Sequence, residues 1–92
     1  MDFKLEYSKR ALKQIFKLDK AVVRGILQKL DEIMTLEDPM KKAKRLKVKR
    51  EDIFRFRVGD YRVVFRKDNK SGTLVILVVL RIQHRKDVYE HK

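Results

Sequence analysis

The sequence predicts a single α+β domain spanning residues 1–92, in the order β-α-α-β-β-β with a short C-terminal tail or helix. Three observations predict it. Residues 53–66 read Ile-Phe-Arg-Phe-Arg-Val-Gly-Asp-Tyr-Arg-Val-Val-Phe-Arg, two alternating runs around a Gly-Asp pair. Residues 74–80 are continuously apolar and rich in β-branched side chains, which marks a strand buried on both faces. Ahead of both, residues 9–34 repeat their apolar side chains at helical spacing. A twisted antiparallel sheet of about four strands, with an N-terminal helical hairpin packed on one face, accounts for all three.

In chain order, Phe3, Leu5 and Tyr7 alternate with Lys4 and Glu6, the pattern of a strand with one buried face. Ser8 is placed to cap a helix carrying Ala11, Leu12, Ile15 and Phe16. Asp19 is placed to cap a second, whose stripe of Val22, Val23, Ile26, Leu27, Leu30, Ile33 and Met34 reads as core. Glu37-Asp38-Pro39 ends it, because the residue before proline is pushed out of the helical region. Lys41, Lys42, Lys44, Arg45, Lys47, Lys49 and Arg50 then crowd one ten-residue stretch, with Leu46 and Val48 alternating as a short extended edge. Residues 67–72 read as a polar loop before the last strand, and the polar tail holds His84, Arg85 and Tyr89.

The 59–60 loop fixes a register that puts Arg57 opposite Arg62, Phe56 opposite Val63 and Phe54 opposite Phe65. Cross-strand partners share a face, so Phe54, Phe56, Val58, Tyr61, Val63 and Phe65 line one side. Arg55, Arg57, Arg62 and Arg66 line the other, with Ile53 and Val64. Like charges placed directly opposite destabilise a hairpin by up to about 1 kcal/mol. A bound polyanion relieves that repulsion.

The charge balance agrees. Twenty-five Lys and Arg against 13 Asp and Glu give a formal charge of +12, suited to nucleic acid. A basic run is often only a solvated face, but beside an arginine-lined hairpin it extends one positive surface toward phosphate. The absence of cysteine excludes disulfides and thiol chemistry, and the two histidines alone cannot make a zinc site. No phosphate-binding glycine loop or carboxylate cluster is present, so no cofactor, metal, small-molecule ligand or membrane is expected. The start, Met-Asp-Phe-Lys, has no signal-peptide pattern, and the expected compartment is the cytoplasm. The arginine face suits simple RNA binding equally with metal-free RNA cleavage, whose three needs Arg, Lys, His and Tyr can meet: removing the 2′-hydroxyl proton, stabilising the phosphorane and protonating the leaving 5′-oxygen.

The run from residue 54 to 65, together with Leu80-Arg81-Ile82-Gln83-His84-Arg85-Lys86-Asp87-Val88-Tyr89, resembles the RelE/ParE toxin superfamily. The R-x-R-x-G-x-Y-R hairpin and the terminal H-R-x-x-V-Y resemble its RelE branch, and the order of elements extends the likeness over almost the whole chain. The resemblance implies a RelE-like microbial RNase fold. It also implies a toxin of a type II toxin–antitoxin pair that cuts mRNA in the ribosomal A site and so inhibits translation. Carried over, Arg57, Arg62 and Arg85 would stabilise the scissile phosphate, and Tyr89 would orient or deprotonate the 2′-hydroxyl. Arg55, Arg81, Lys47, Lys49 and Arg45 would contact RNA. The well-studied enzymes have lysine at two strand positions where this chain has arginine, a poorer base, so His84 or Tyr89 would fill that role. The implied partners are mRNA on the ribosome, with its ribosomal RNA, and a cognate antitoxin protein. Two further readings stay open: a ParE-like inhibitor of DNA gyrase, and an RNA- or ribosome-binding module without catalysis.

Overall fold

Ser8 joins the first strand to the first helix and ties both to the far end of the chain. In the computed structural model, which describes residues 2–47, 52–71 and 74–86, its Oγ accepts the Ala11 N–H at 3.1 Å. The same hydroxyl donates to the Leu80 carbonyl at 3.0 Å. Before it runs β1 (Asp2–Tyr7) and after it α1 (Lys9–Lys17). Asp19 caps α2 (Lys20–Met34), its carboxylate accepting the Ala21 N–H at 2.8 Å. Asp38 does the same for a 3₁₀ turn over Pro39–Lys42, accepting from Met40 at 3.0 Å. Both helix caps fall where the sequence puts them. Each satisfies a backbone donor that the first helical turn leaves without a partner.

Five strands form one sheet in the order β1-β5-β4-β3-β2. The last four are β2 (Lys44–Arg45), β3 (Ile53–Val58), β4 (Tyr61–Ser71) and β5 (Leu74–His84). The hairpin register is as expected: Arg57 faces Arg62, Phe56 faces Val63 and Phe54 faces Phe65. Gly59 sits in the loop at φ 58°, a conformation that costs other residues a steric penalty.

Three features differ from the expectation. The sheet has five strands and is mixed, because β1 runs parallel to β5, with Phe3 beside Val75 and Tyr7 beside Val79. The unbroken apolar run of β5 requires cover on both edges as well as both faces, and β1 supplies the second neighbour. The polar stretch after Arg66 is strand, not loop. Its backbone pairs with β5 (Lys67 with Leu77, Asp68 with Ile76), and Arg66 grips Asp68 through two hydrogen bonds of 3.0 and 3.1 Å. Finally, β2 holds only Lys44 and Arg45, ahead of Leu46, and Val48 lies outside the described residues.

The core lies between the sheet and the helices. Ala11 of α1 and Ile26, Leu30 and Ile33 of α2 bury against Phe56, Val63, Phe65, Leu77, Val79 and Ile82. Phe56 stacks on Phe65 with centroids 4.4 Å apart. Leu12, Phe16 and Leu27, expected as core, remain exposed, because the apolar stripes of two short helices are wider than the contact one sheet face provides. No helix is long and apolar enough to cross a membrane among the described residues.

Candidate functional site

The site lies on the sheet face away from the helices, and alternation builds it. Arg57 pairs with Arg62, Arg62 with Gln83, Arg55 with Val64, Val64 with Arg81, and Lys44 with Arg55. Cross-strand partners share a face, so Lys44, Arg55, Arg57, Arg62, Arg81 and Gln83 stand together. Val64 is completely buried in their midst, although α1 and α2 pack on the opposite face. The long aliphatic stems of neighbouring arginines suit that role while their heads stay in water.

A break in register decides what β5 contributes. Val64 pairs with Arg81 but Phe65 pairs with Val79, so Leu80 is an extra residue, a β-bulge. Val75, Leu77 and Val79 face the core before it, and Ile82 faces the core after it. The shift turns Arg81 and Gln83 onto the arginine face. It turns His84 the other way, opposite Tyr61, whose ring it meets edge-on at 4.9 Å. His84 is therefore not brought to the arginines. Its Nδ1 accepts the Lys86 N–H at 3.1 Å.

The charges repel as their spacing requires. Partial burial, then the like charges of Arg57 and Arg62, push the Arg55 guanidinium below its ordinary pKa. Burial, then Arg10 of α1, does the same to Arg81. In both, burial and neighbouring like charge disfavour the charged form. Arg85 lies at the hairpin tip: its N–H donates to the Asp60 carbonyl at 2.8 Å, and its Nη1 is 3.7 Å from the Asp60 carboxylate.

Of the residues expected from the sequence, Arg55, Arg57, Arg62 and Arg81 share one face, and Arg85 stands at its end. Arg45 pairs with Phe54 on the other face and makes an ion pair of 3.4 Å with Asp52. Lys47 is exposed beyond the end of β2. Lys49 and Tyr89 lie outside the described residues. Sequence reasoning missed Lys44 and Gln83 as members of this face. Lys44 was legible only as one cation among seven, and Gln83 only once the bulge is known.

A cationic sheet face opposite a helical hairpin defines a small α+β domain with arginines gathered on one side of its sheet. Solved structures share this fold. The RelBE2 toxin–antitoxin complex from Mycobacterium tuberculosis matches with TM-score 0.71 at 22% identity, covering 92% of this chain and 100% of that one. The RelE–RelB complex from Pyrococcus horikoshii matches with TM-score 0.64 at 24% identity, covering 92% and 97%. The RelB–RelE complex from Methanococcus jannaschii matches with TM-score 0.66 at 19% identity, covering 95% and 98%. No curated protein matches the sequence. The family model for the ParE toxin of type II toxin–antitoxin (parDE) systems matches residues 5–89, so the chain belongs to that family, within the RelE/ParE superfamily.

Proposed function

We propose that this toxin is a ribosome-dependent mRNA endonuclease acting in the cytoplasm. The observation that supports the reading is the Arg57–Arg62 pair, set among Arg55, Arg81 and Lys44 on one open face. In the proposed reaction the 2′-hydroxyl loses its proton and its oxygen bonds to the adjacent phosphorus. The bond from phosphorus to the 5′-oxygen breaks, and that oxygen takes up a proton. The products are a 2′,3′-cyclic phosphate and a free 5′-hydroxyl. Arg57 and Arg62 neutralise the charge that builds on the phosphorane, and Arg85 assists from the hairpin tip. Arginine is a poor base at neutral pH, and His84 packs across the sheet on Tyr61. Tyr89 is the remaining candidate for the base. Expression without the neighbouring antitoxin gene should arrest growth and create new mRNA 5′ ends. In the Arg62→Ala variant both effects should vanish, and full toxicity there would refute the mechanism.

The family match itself favours a second reading, inhibition of DNA gyrase, because the matching model is that of the ParE toxin. It predicts a DNA-damage response with intact transcripts in the same experiment. The partner in either case is the cognate antitoxin, in line with structural neighbours that are complexes of toxin and antitoxin.

A further inference from the structure

The two edges of the sheet are unlike. One is β2, only two residues long and cationic at both, Lys44 and Arg45, a short charged edge of the kind that resists pairing. The other is β1, six residues long. The ladder from β1 to β5 uses the even-numbered residues, as the Ser8 N–H donating to the Val79 carbonyl at 2.8 Å shows at its end. The N–H and C=O groups of Phe3, Leu5 and Tyr7 therefore point outward along the open edge. Among the described residues nothing hydrogen-bonds to them. Their side chains pack half-buried on the core, while Lys4 and Glu6 stand on the opposite face as an ion pair of 3.8 Å.

An open edge is a template for another strand, and its charges select which one. If two copies of β1 pair antiparallel, odd residues meet odd residues, since these carry the outward groups. A two-fold axis at Lys4 sets Lys4 against Lys4 and Asp2 against Glu6, and an axis at Glu6 sets Glu6 against Glu6. An axis at Leu5 instead sets Lys4 of each copy against Glu6 of the other, Leu5 against Leu5, and Phe3 against Tyr7. In that register opposite charges meet, and the apolar row continues across the join. We propose that β1 is a self-complementary edge on which a second copy of this chain pairs about Leu5. The axis stands perpendicular to the sheet, so the two five-stranded sheets become one, with all helices on one side and both arginine faces on the other. The net charge of +12 on each copy opposes the union only weakly. The two β3 strands lie seven strand spacings apart, about 34 Å, against a Debye length of about 8 Å at physiological ionic strength. The inference does not draw on the toxin reading.

Charge exchange between copies tests the register. Sedimentation equilibrium of the full chain at physiological ionic strength should show a reversible monomer–dimer equilibrium. Lys4→Glu and Glu6→Lys should each dimerise at least tenfold more weakly, because each sets like charges opposite one another across the axis. Lys4→Glu also lowers the net charge, so a dimer limited by overall repulsion would tighten there, and tightening overturns the register. An equimolar mixture of the two variants should form a mixed dimer within threefold of the parent affinity, since two carboxylates of one chain then face two ammonium groups of the other. A mixture no tighter than its components overturns the pairing, as does a parent chain that stays monomeric at every concentration. Both substitutions are exposed, so circular dichroism and melting temperature should not change. Hydrogen exchange locates the contact: the Phe3, Leu5 and Tyr7 amides should slow on dimerisation, whereas the Lys4 and Glu6 amides should already be slow in the monomer. A dimer in which the odd amides stay fast uses another surface and overturns the proposal. A chain monomeric alone, whose odd amides slow only with antitoxin bound, gives the edge to the antitoxin and overturns it too. None of these results depends on whether the arginine face cuts RNA, which the transcript mapping above decides.

Discussion

The two faces of the β3–β4 hairpin are made by the same strands and obey different rules. On one, Phe56, Val63 and Phe65 are fully buried under α2 and satisfy one another. On the other, Arg57 faces Arg62, with Arg55 pushed below its ordinary pKa by burial and then by both. The first face lowers the energy of the fold on its own. The second keeps like charges together at some cost to stability, and such a local conflict is expected where a ligand completes the arrangement. Strand alternation lets the chain do both within twelve residues or so, because successive side chains along one strand point to opposite faces.

The contrast breaks most visibly at Arg62. Arg62→Ala should reduce mRNA cleavage by about a hundredfold or more, as loss of one transition-state donor does. Its melting temperature should stay the same or rise slightly, because a repulsion is removed. A large loss of stability would show that Arg62 belongs to the fold and not to a ligand. Phe56→Ala should do the reverse, costing about 3–5 kcal/mol in chemical denaturation through the cavity it leaves. Gly59→Ala, at positive φ in the loop joining the faces, should cost about 1 kcal/mol by the same measurement.

Smaller effects sharpen the comparison. Lys44→Ala should weaken RNA binding and lower the slope of log affinity against log salt by about one, the signature of one lost phosphate contact. Arg45→Ala, from the other face, should leave the slope unchanged. Equal slopes would blur the two sides of β2. Smallest is a pH effect on the core side. Burial, then Asp31, raises the Tyr7 pKa above its ordinary 10.0. The folded state therefore holds the phenol proton longer than the unfolded chain does. Its contribution is complete below pH 10 and is lost as pH rises through the folded value. Tyr7→Phe should flatten that alkaline fall in stability, and an unchanged curve would remove Tyr7 as its source.

Much of this was legible in the sequence. The Gly59–Asp60 loop sets the hairpin register, and Ser8 and Asp19 announce both helices, because turn and cap chemistry is local. The arginine face followed from alternation alone. Pairing between distant strands is not local, so nothing in Asp2–Tyr7 revealed a parallel neighbour in β5. Arg66 and Asp68 looked like loop because charged residues favour turns, yet here they pair across one turn of the pleat on an exposed surface. The phase of β5 was hidden for a different reason: residues apolar on both sides carry no alternation to read.

Leu80 therefore governs more than its own position. It acts as a half-step in the reading of the strand, after which odd and even exchange meanings. Were Leu80 instead to pair with Val64 in a regular ladder, Arg81 would turn toward the core, and Ile82 and His84 toward the arginine face, without altering a single side chain downstream. The bulged pairing at this point, and not only composition, is what assigns the end of β5 its chemistry.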